Sequence, residues 1–228
     1  MALLEGRPFS RTVVRLLVGI AFLYSGAALL MHILGGVSLR MALVGTVLAS
    51  AVVIAVVWRR IEPELRSQVL AYVKVGTLAG ILAVIVYDVV RWTMALVDPT
   101  PYDPFEALWT FGLLLVGPEA PEPWIMAAGI GYHALNGVMF GIAYAFLFGR
   151  KGIIVGVAWA LFLTGFQLAL YPGWLGIELV RQFAGISFSG HVAYGATLGY
   201  VCKRGLDRLD RKRIYEEEKT DGREIAPG

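Results

Sequence analysis

Long apolar runs constrain this chain more than any other feature. Residues 16–39, 41–58, 123–149, 152–177 and 182–202 contain no Asp, Glu, Lys or Arg. A further run, 73–97, is apolar around Asp88 and Arg91. A helix that crosses a bilayer needs about 20 mostly apolar residues. In lipid the backbone must satisfy its own hydrogen bonds, and a helix does so locally. Membrane barrels alternate apolar and polar residues instead, and these runs do not. The sequence therefore predicts an all-α polytopic membrane protein, a six-transmembrane-helix bundle. The spans fall near 13–37, 41–58, 73–97, 123–148, 152–172 and 184–202. Residues 1–202 form the transmembrane domain and 203–228 a charged tail. The first run is read as a retained span, because it is longer than a signal core and lacks a small-x-small cleavage site.

Composition excludes the alternatives. Hydrophobic residues make up 57% and charged residues 16%, against roughly 25% charged in ordinary soluble domains. That rules out a disordered chain and argues against a nucleic-acid partner. The single cysteine, Cys202, rules out an internal disulfide and a CxxC metal site.

Lys and Arg orient the spans, since they collect on the cytoplasmic side. With the N-terminus inside, Arg7, Arg11, Arg15, Arg59, Arg60, Arg66, Lys74, Arg150, Lys151 and the basic tail fall inside. Arg40 and Arg181 fall outside. Asp98, Asp103, Glu106, Glu119, Glu122 and Glu178 fall outside as well. Both termini are therefore expected in the cytoplasm, with the bundle in the plasma membrane. Short loops and compact size suggest a prokaryotic chain. The segment Lys203–Arg213 suits anionic lipid headgroups. Residues 216–228 are expected to be disordered. The apolar stretch 105–116 is too short to span and is read as an interfacial piece. Residues 171–185 are read as a turn with a short surface helix.

Two spans share one motif. His133-Ala-Leu-Asn-Gly-Val-Met-Phe-Gly141 and His191-Val-Ala-Tyr-Gly-Ala-Thr-Leu-Gly199 both read His-x3-Gly-x3-Gly. Residues four apart share a helix face. The first stripe runs Gly129, His133, Gly137, Gly141, Ala145 and Gly149. The second runs Ser187, His191, Gly195 and Gly199. The fifth span adds Gly152, Gly156, Ala160 and Thr164. The third carries Gly76 and Gly80, and the same spacing reaches Asp88. Small-xxx-small tracks let membrane helices approach closely. The third to sixth spans are thus expected to form a tight bundle packed through these glycines.

Depth groups the polar residues. At 1.5 Å per residue, Asp88, His133 and His191 each lie about 15 Å from their span ends. That is near the middle of a roughly 30 Å core. Arg91 follows Asp88 by three residues, and Asn136 lies about one turn from His133. Gln167, Tyr171 and Tyr194 are candidate hydrogen-bond partners, and His32 lies nearer a span end.

Intramembrane ionisable groups mark ion paths and proton relays, and histidine changes charge near neutral pH. The leading expectation is transport of an ion, proton or small solute along Asp88, Arg91, His133, Asn136 and His191. A second reading is a redox subunit. In it, His133 and His191 ligate a haem, or with Asp88 hold a transition metal. A third is an accessory subunit whose glycine faces meet a second copy or a membrane-complex partner. An intramembrane hydrolase built on the segments around His133 and His191 is the last-placed reading, so enzymatic activity stays open with the balance against it.

Overall fold

In the computed structural model, residues 9–99 and 102–220 are described, and all regular structure among them is helical. The helices are α1 (Arg11–Ala21), α2 (Tyr24–Gly35), α3 (Leu39–Arg60), α4 (Pro63–Val97), α5 (Glu106–Val116), α6 (Glu122–Phe148), α7 (Ile153–Leu175) and α8 (Val180–Thr220). Four of them, α3, α4, α6 and α7, are long and apolar enough to cross a membrane. The pair α1 and α2 qualifies as a fifth, bent by 48°.

Local signals set the helix ends. The Ser10 and Ser38 hydroxyls accept from the backbone N–H of Val13 and Met41, each at 3.4 Å, and so cap α1 and α3. Such caps satisfy donors that the first turn leaves free. Pro63 opens α4, where its missing N–H costs nothing. Gly36 and Gly176 end α2 and α7 with φ of +67°, a left-handed conformation that favours glycine.

Several boundaries differ from expectation. The first span is broken at Phe22–Leu23, where Leu23 N–H bonds Ile20 O at 3.0 Å and tightens the turn. The third span is the last part of a longer helix, since α4 starts at Pro63. No separate surface helix follows residue 171. Helix α7 continues through Leu175, and α8 starts at Val180. Position 202 lies inside α8, which runs on as helix to Thr220, so residues 216–220 are not disordered. Residues 221–228, and Arg7 at the other end, lie outside the described residues. The expected sixth span falls within α8, which is not among the helices apolar enough to cross by that test. Ser187, Ser189, His191 and Thr197 dilute its apolar character.

Packing follows the small residues. Helix α4 packs extensively on both α6 and α8, and α7 packs on α8, whereas α6 scarcely meets α7 or α8. The order across the bundle is therefore α6, α4, α8, α7. A Cβ added at Gly80 would meet the Val138 Cα at 2.8 Å, and one at Gly141 would meet the Gly80 Cα at 2.6 Å. These contacts join α4 to α6. A Cβ at Gly156 would fall on the Gly195 carbonyl, and one at Gly199 on the Gly152 carbonyl. These join α7 to α8. Gly129 and Gly112 admit the backbone of α5 against α6 in the same way. Each stripe thus serves different neighbours along its length, and no single four-helix seam forms.

At the basic end, Arg150 is paired with Asp210 and lies 3.9 Å from Asp207, while Lys203 bonds Asp207 at 2.6 Å. The Asp210 carboxylate pushes the Arg150 guanidinium further up from its ordinary range. The Lys203 ammonium holds the Asp207 carboxyl below its usual value.

Candidate functional site

The ionisable residues of α4 and α6 meet where these helices pack, with the Asp88 side chain 31% exposed and that of His133 19%. His133 Nε2 lies 3.0 Å from Asp88 Oδ1 and 3.1 Å from Oδ2, so the imidazole N–H donates to the carboxylate. Arg91 Nη1 lies 3.5 Å from the same Oδ1. The spacing of Asp88 and Arg91, three apart on one helix, puts them side by side. A buried charge is costly unless it is paired, so the Asp88 carboxylate is what makes the buried Arg91 tolerable. Its side chain is 6% exposed. Arg91 also stacks over Tyr87, with Cζ 4.8 Å from the ring centroid, and over Phe105 at 5.2 Å. Cations over aromatic faces gain further stabilisation.

His191 sits on α8 in a different setting. Its Nδ1 lies 2.8 Å from the Ser187 carbonyl. A carbonyl only accepts, so Nδ1 carries the hydrogen and Nε2 of the neutral ring is left as an acceptor. Tyr87 touches both imidazoles, edge-on to His191 at 4.8 Å and tilted to His133 at 5.7 Å between centroids. Gly190 makes room for this cluster: a Cβ there would lie 2.9 Å from both Arg91 Cγ and Tyr87 Cε2.

These side chains border a cavity of about 410 Å³ between α2, α4, α5, α6, α7 and α8. Arg91, His133, Asn136, Gln167, Tyr171, His191 and Tyr194 all line it. Asp88 does not; it stands behind His133 and Arg91. Most of the wall is apolar, from Leu23 at the break and Leu30 of α2 to Phe162 and Phe166 of α7. One end is covered by Pro104, Ala107, Leu108 and Phe111 with Tyr171, so the stretch 105–116 packs over the cavity. Trp174 stacks on Phe111. Beside this end Tyr102 is partly covered, and burial pushes its phenol up to about 12. Four polar atoms of lining residues have no hydrogen-bond partner: Arg91 Nε, Asn136 Oδ1, Trp159 Nε1 and Gln167 Oε1.

The expected metal set does not assemble. Among the described residues, no three His, Cys, Asp or Glu side chains form a group that could hold a metal ion. His133 is bound to Asp88, while His191 faces the Tyr87 ring. The haem expectation meets a different obstacle: Tyr87 contacts both imidazoles, where a macrocycle would have to stand. His32 is engaged elsewhere, donating through Nδ1 to Val37 O at 2.9 Å and meeting Trp174 edge-on. Tyr194 donates to Gly137 O at 2.6 Å. Sequence reasoning missed Tyr87, Trp159 and Phe105. The only signal for Tyr87 was its place four residues before Arg91, on the same helix face.

Four or five membrane-length apolar helices, no other regular structure among the described residues, and an ionic group beside a half-open cavity define a membrane-protein class. The particular family follows from comparison. Residues 70–212 match the family described as "Family of unknown function (DUF6789)", and the chain belongs to it. The match runs from α4 into the latter part of α8 and includes Asp88, Arg91, His133 and His191. No curated protein matches the chain, and no solved structure does.

Proposed function

We propose that this protein is a membrane carrier that binds a small solute in its central cavity and moves it with a proton held at the Asp88–His133 pair. In this reading it crosses the plasma membrane of a prokaryotic cell six times with both termini inside. The bent pair α1 and α2 is the first span, and α8 supplies the sixth through residues 184–202. The low apolar content of that segment fits a span shielded by α4 and α7. Arg59, Arg60, Arg66, Arg150 and Lys151 then lie on the cytoplasmic face. So does Lys203–Arg213, whose exposed Arg204, Arg208 and Arg211 suit anionic headgroups.

One observation carries the reading: Arg91 and His133, both held by Asp88, face a 410 Å³ cavity inside apolar helices. Ionisable groups in such a place mark substrate paths and proton relays. Protonation of His133 changes the charge of the group by one unit, which couples proton and solute.

Proteoliposomes loaded with a pH-sensitive dye test it. A set of anionic, neutral and cationic organic solutes is added outside. The account expects at least one solute to drive proton uptake beyond that of protein-free vesicles, and Asp88→Asn and His133→Ala to abolish it. Full uptake in both variants, or none with any solute, contradicts the reading.

A further inference from the structure

We propose that the solute is an apolar organic monoanion, one carboxylate or sulfonate on an alkyl or aryl body, admitted from the lipid between α2 and α7. This rests on the carrier reading and names the substrate class for the same cavity.

The charge of the wall points to an anion. Among the described residues lining the cavity the ionisable groups are Arg91, His133, His191 and tyrosines, and no Asp or Glu is present. The one nearby carboxylate, Asp88, is turned to His133 and Arg91 from behind. Arg91 is the permanent charge on the wall, and its Asp88 partner stands outside the lining. An anion in the cavity meets that guanidinium first, whereas a cation is repelled by it.

The rest of the wall selects the body. Leucine and phenylalanine side chains from four helices would strand the hydroxyls of a sugar-like solute without partners. The volume falls within the 300–1,000 Å³ common for small-molecule sites. The route follows from packing. Both α2 and α7 line the cavity but are not packed together along it, and they meet at its end through His32 and Trp174. Ala27 on one lip is exposed, as are Phe162 and Phe166 on the other. A solute that dissolves in lipid reaches such a gap directly.

Calorimetric titration of the full chain in lipid nanodiscs tests the proposal, with empty nanodiscs as reference. The probes are octanesulfonate, octanoate, octanol and octylammonium. Both anions are expected to bind about tenfold or more tighter than octanol or octylammonium, the effect of about 1.4 kcal/mol at one charged contact. Arg91→Gln is expected to remove that advantage while octanol binding stays the same. Ala27→Phe, at an exposed position on the lip, keeps the melting temperature and weakens octanesulfonate by about tenfold. The second variant decides the matter if Arg91→Gln does not fold. Equal binding of all four probes, tighter octylammonium, or unchanged octanesulfonate binding in the folded variants overturns the proposal. Anion binding without proton uptake in vesicles upholds the ligand class and overturns the carrier. Uptake driven by neutral solutes alone, with no anion binding, does the reverse.

Discussion

Tyr87 stands edge-on to His191, its ring centroid 4.8 Å away and the planes at 78°. The same ring contacts His133 on α6 and lies under the Arg91 guanidinium. One aromatic side chain of α4 therefore links the two histidines that the His-x3-Gly-x3-Gly motif suggests are partners. They are coupled through α4, not by direct contact. Truncating a buried aromatic ring to alanine costs about 3–5 kcal/mol. Tyr87→Ala is expected to lower the melting temperature markedly and to abolish solute-driven proton uptake. Tyr87→Leu, which refills part of the space, is expected to recover more of the melting temperature than of the uptake. Equal recovery of both would mean that the ring only fills space.

The ionic group predicts an asymmetry between its members. Asp88→Asn leaves Arg91 buried without a counter-charge, and a buried charge is costly unless it is paired. His133→Ala leaves the Asp88–Arg91 pair in place. Thermal unfolding in detergent is expected to show the larger loss for Asp88→Asn. The double variant Asp88→Asn with Arg91→Met removes both charges and is expected to be more stable than Asp88→Asn alone. A double variant no more stable than the single one would show that the charges are not energetically coupled.

Helix packing predicts a contrast between two glycines of α7. Gly156 admits the backbone of α8, and a Cβ there would fall on the Gly195 carbonyl. Gly165 has nothing within 4 Å of an added Cβ. Overpacking typically costs about 1–3 kcal/mol, while alanine is intrinsically the better helix former by about 1 kcal/mol. Gly156→Ala is expected to destabilise and Gly165→Ala to be neutral or stabilising, as read by melting temperature. Matching shifts at the two sites would contradict the α7–α8 interface.

Much of the architecture was legible because membrane helices advertise themselves by length and apolarity. The ends of α3 and α6 lie close to the uncharged runs. The break at Phe22–Leu23 was not legible, since no proline marks it and it depends on how α1 and α2 fit against α6. The polar group was legible in part. The spacing of Asp88 and Arg91 made them neighbours, and depth brought His133 to the same level. The order α6, α4, α8, α7 was hidden, because a glycine stripe shows that a face packs closely without naming its partner. Without that order, nothing singled out Tyr87, and His133 and His191 looked adjacent.

The basic end predicts a pH effect. Lys203 holds the Asp207 carboxyl below its ordinary value of 3.8. A carboxyl lowered in the folded state adds stability above its unfolded value and loses it as pH falls through the folded one. Lys203→Gln is therefore expected to melt slightly below wild type at pH 7. That difference is expected to shrink below about pH 4, where the unfolded-state carboxyl takes up its proton first. The pair is exposed, so the difference is small. A difference that persists unchanged at low pH would assign it to something other than Asp207.

The central claim is that His133 on α6 is bound to Asp88 on α4. The chain has three histidines, so the nitrogen-15 spectrum of histidine-labelled protein in nanodiscs resolves each imidazole. The account predicts that Asp88→Asn shifts the His133 nitrogens strongly and those of His32 little. It also predicts that His191 reports a hydrogen on Nδ1, as its bond to Ser187 O requires. Three imidazoles unmoved by Asp88→Asn would contradict the account at its core.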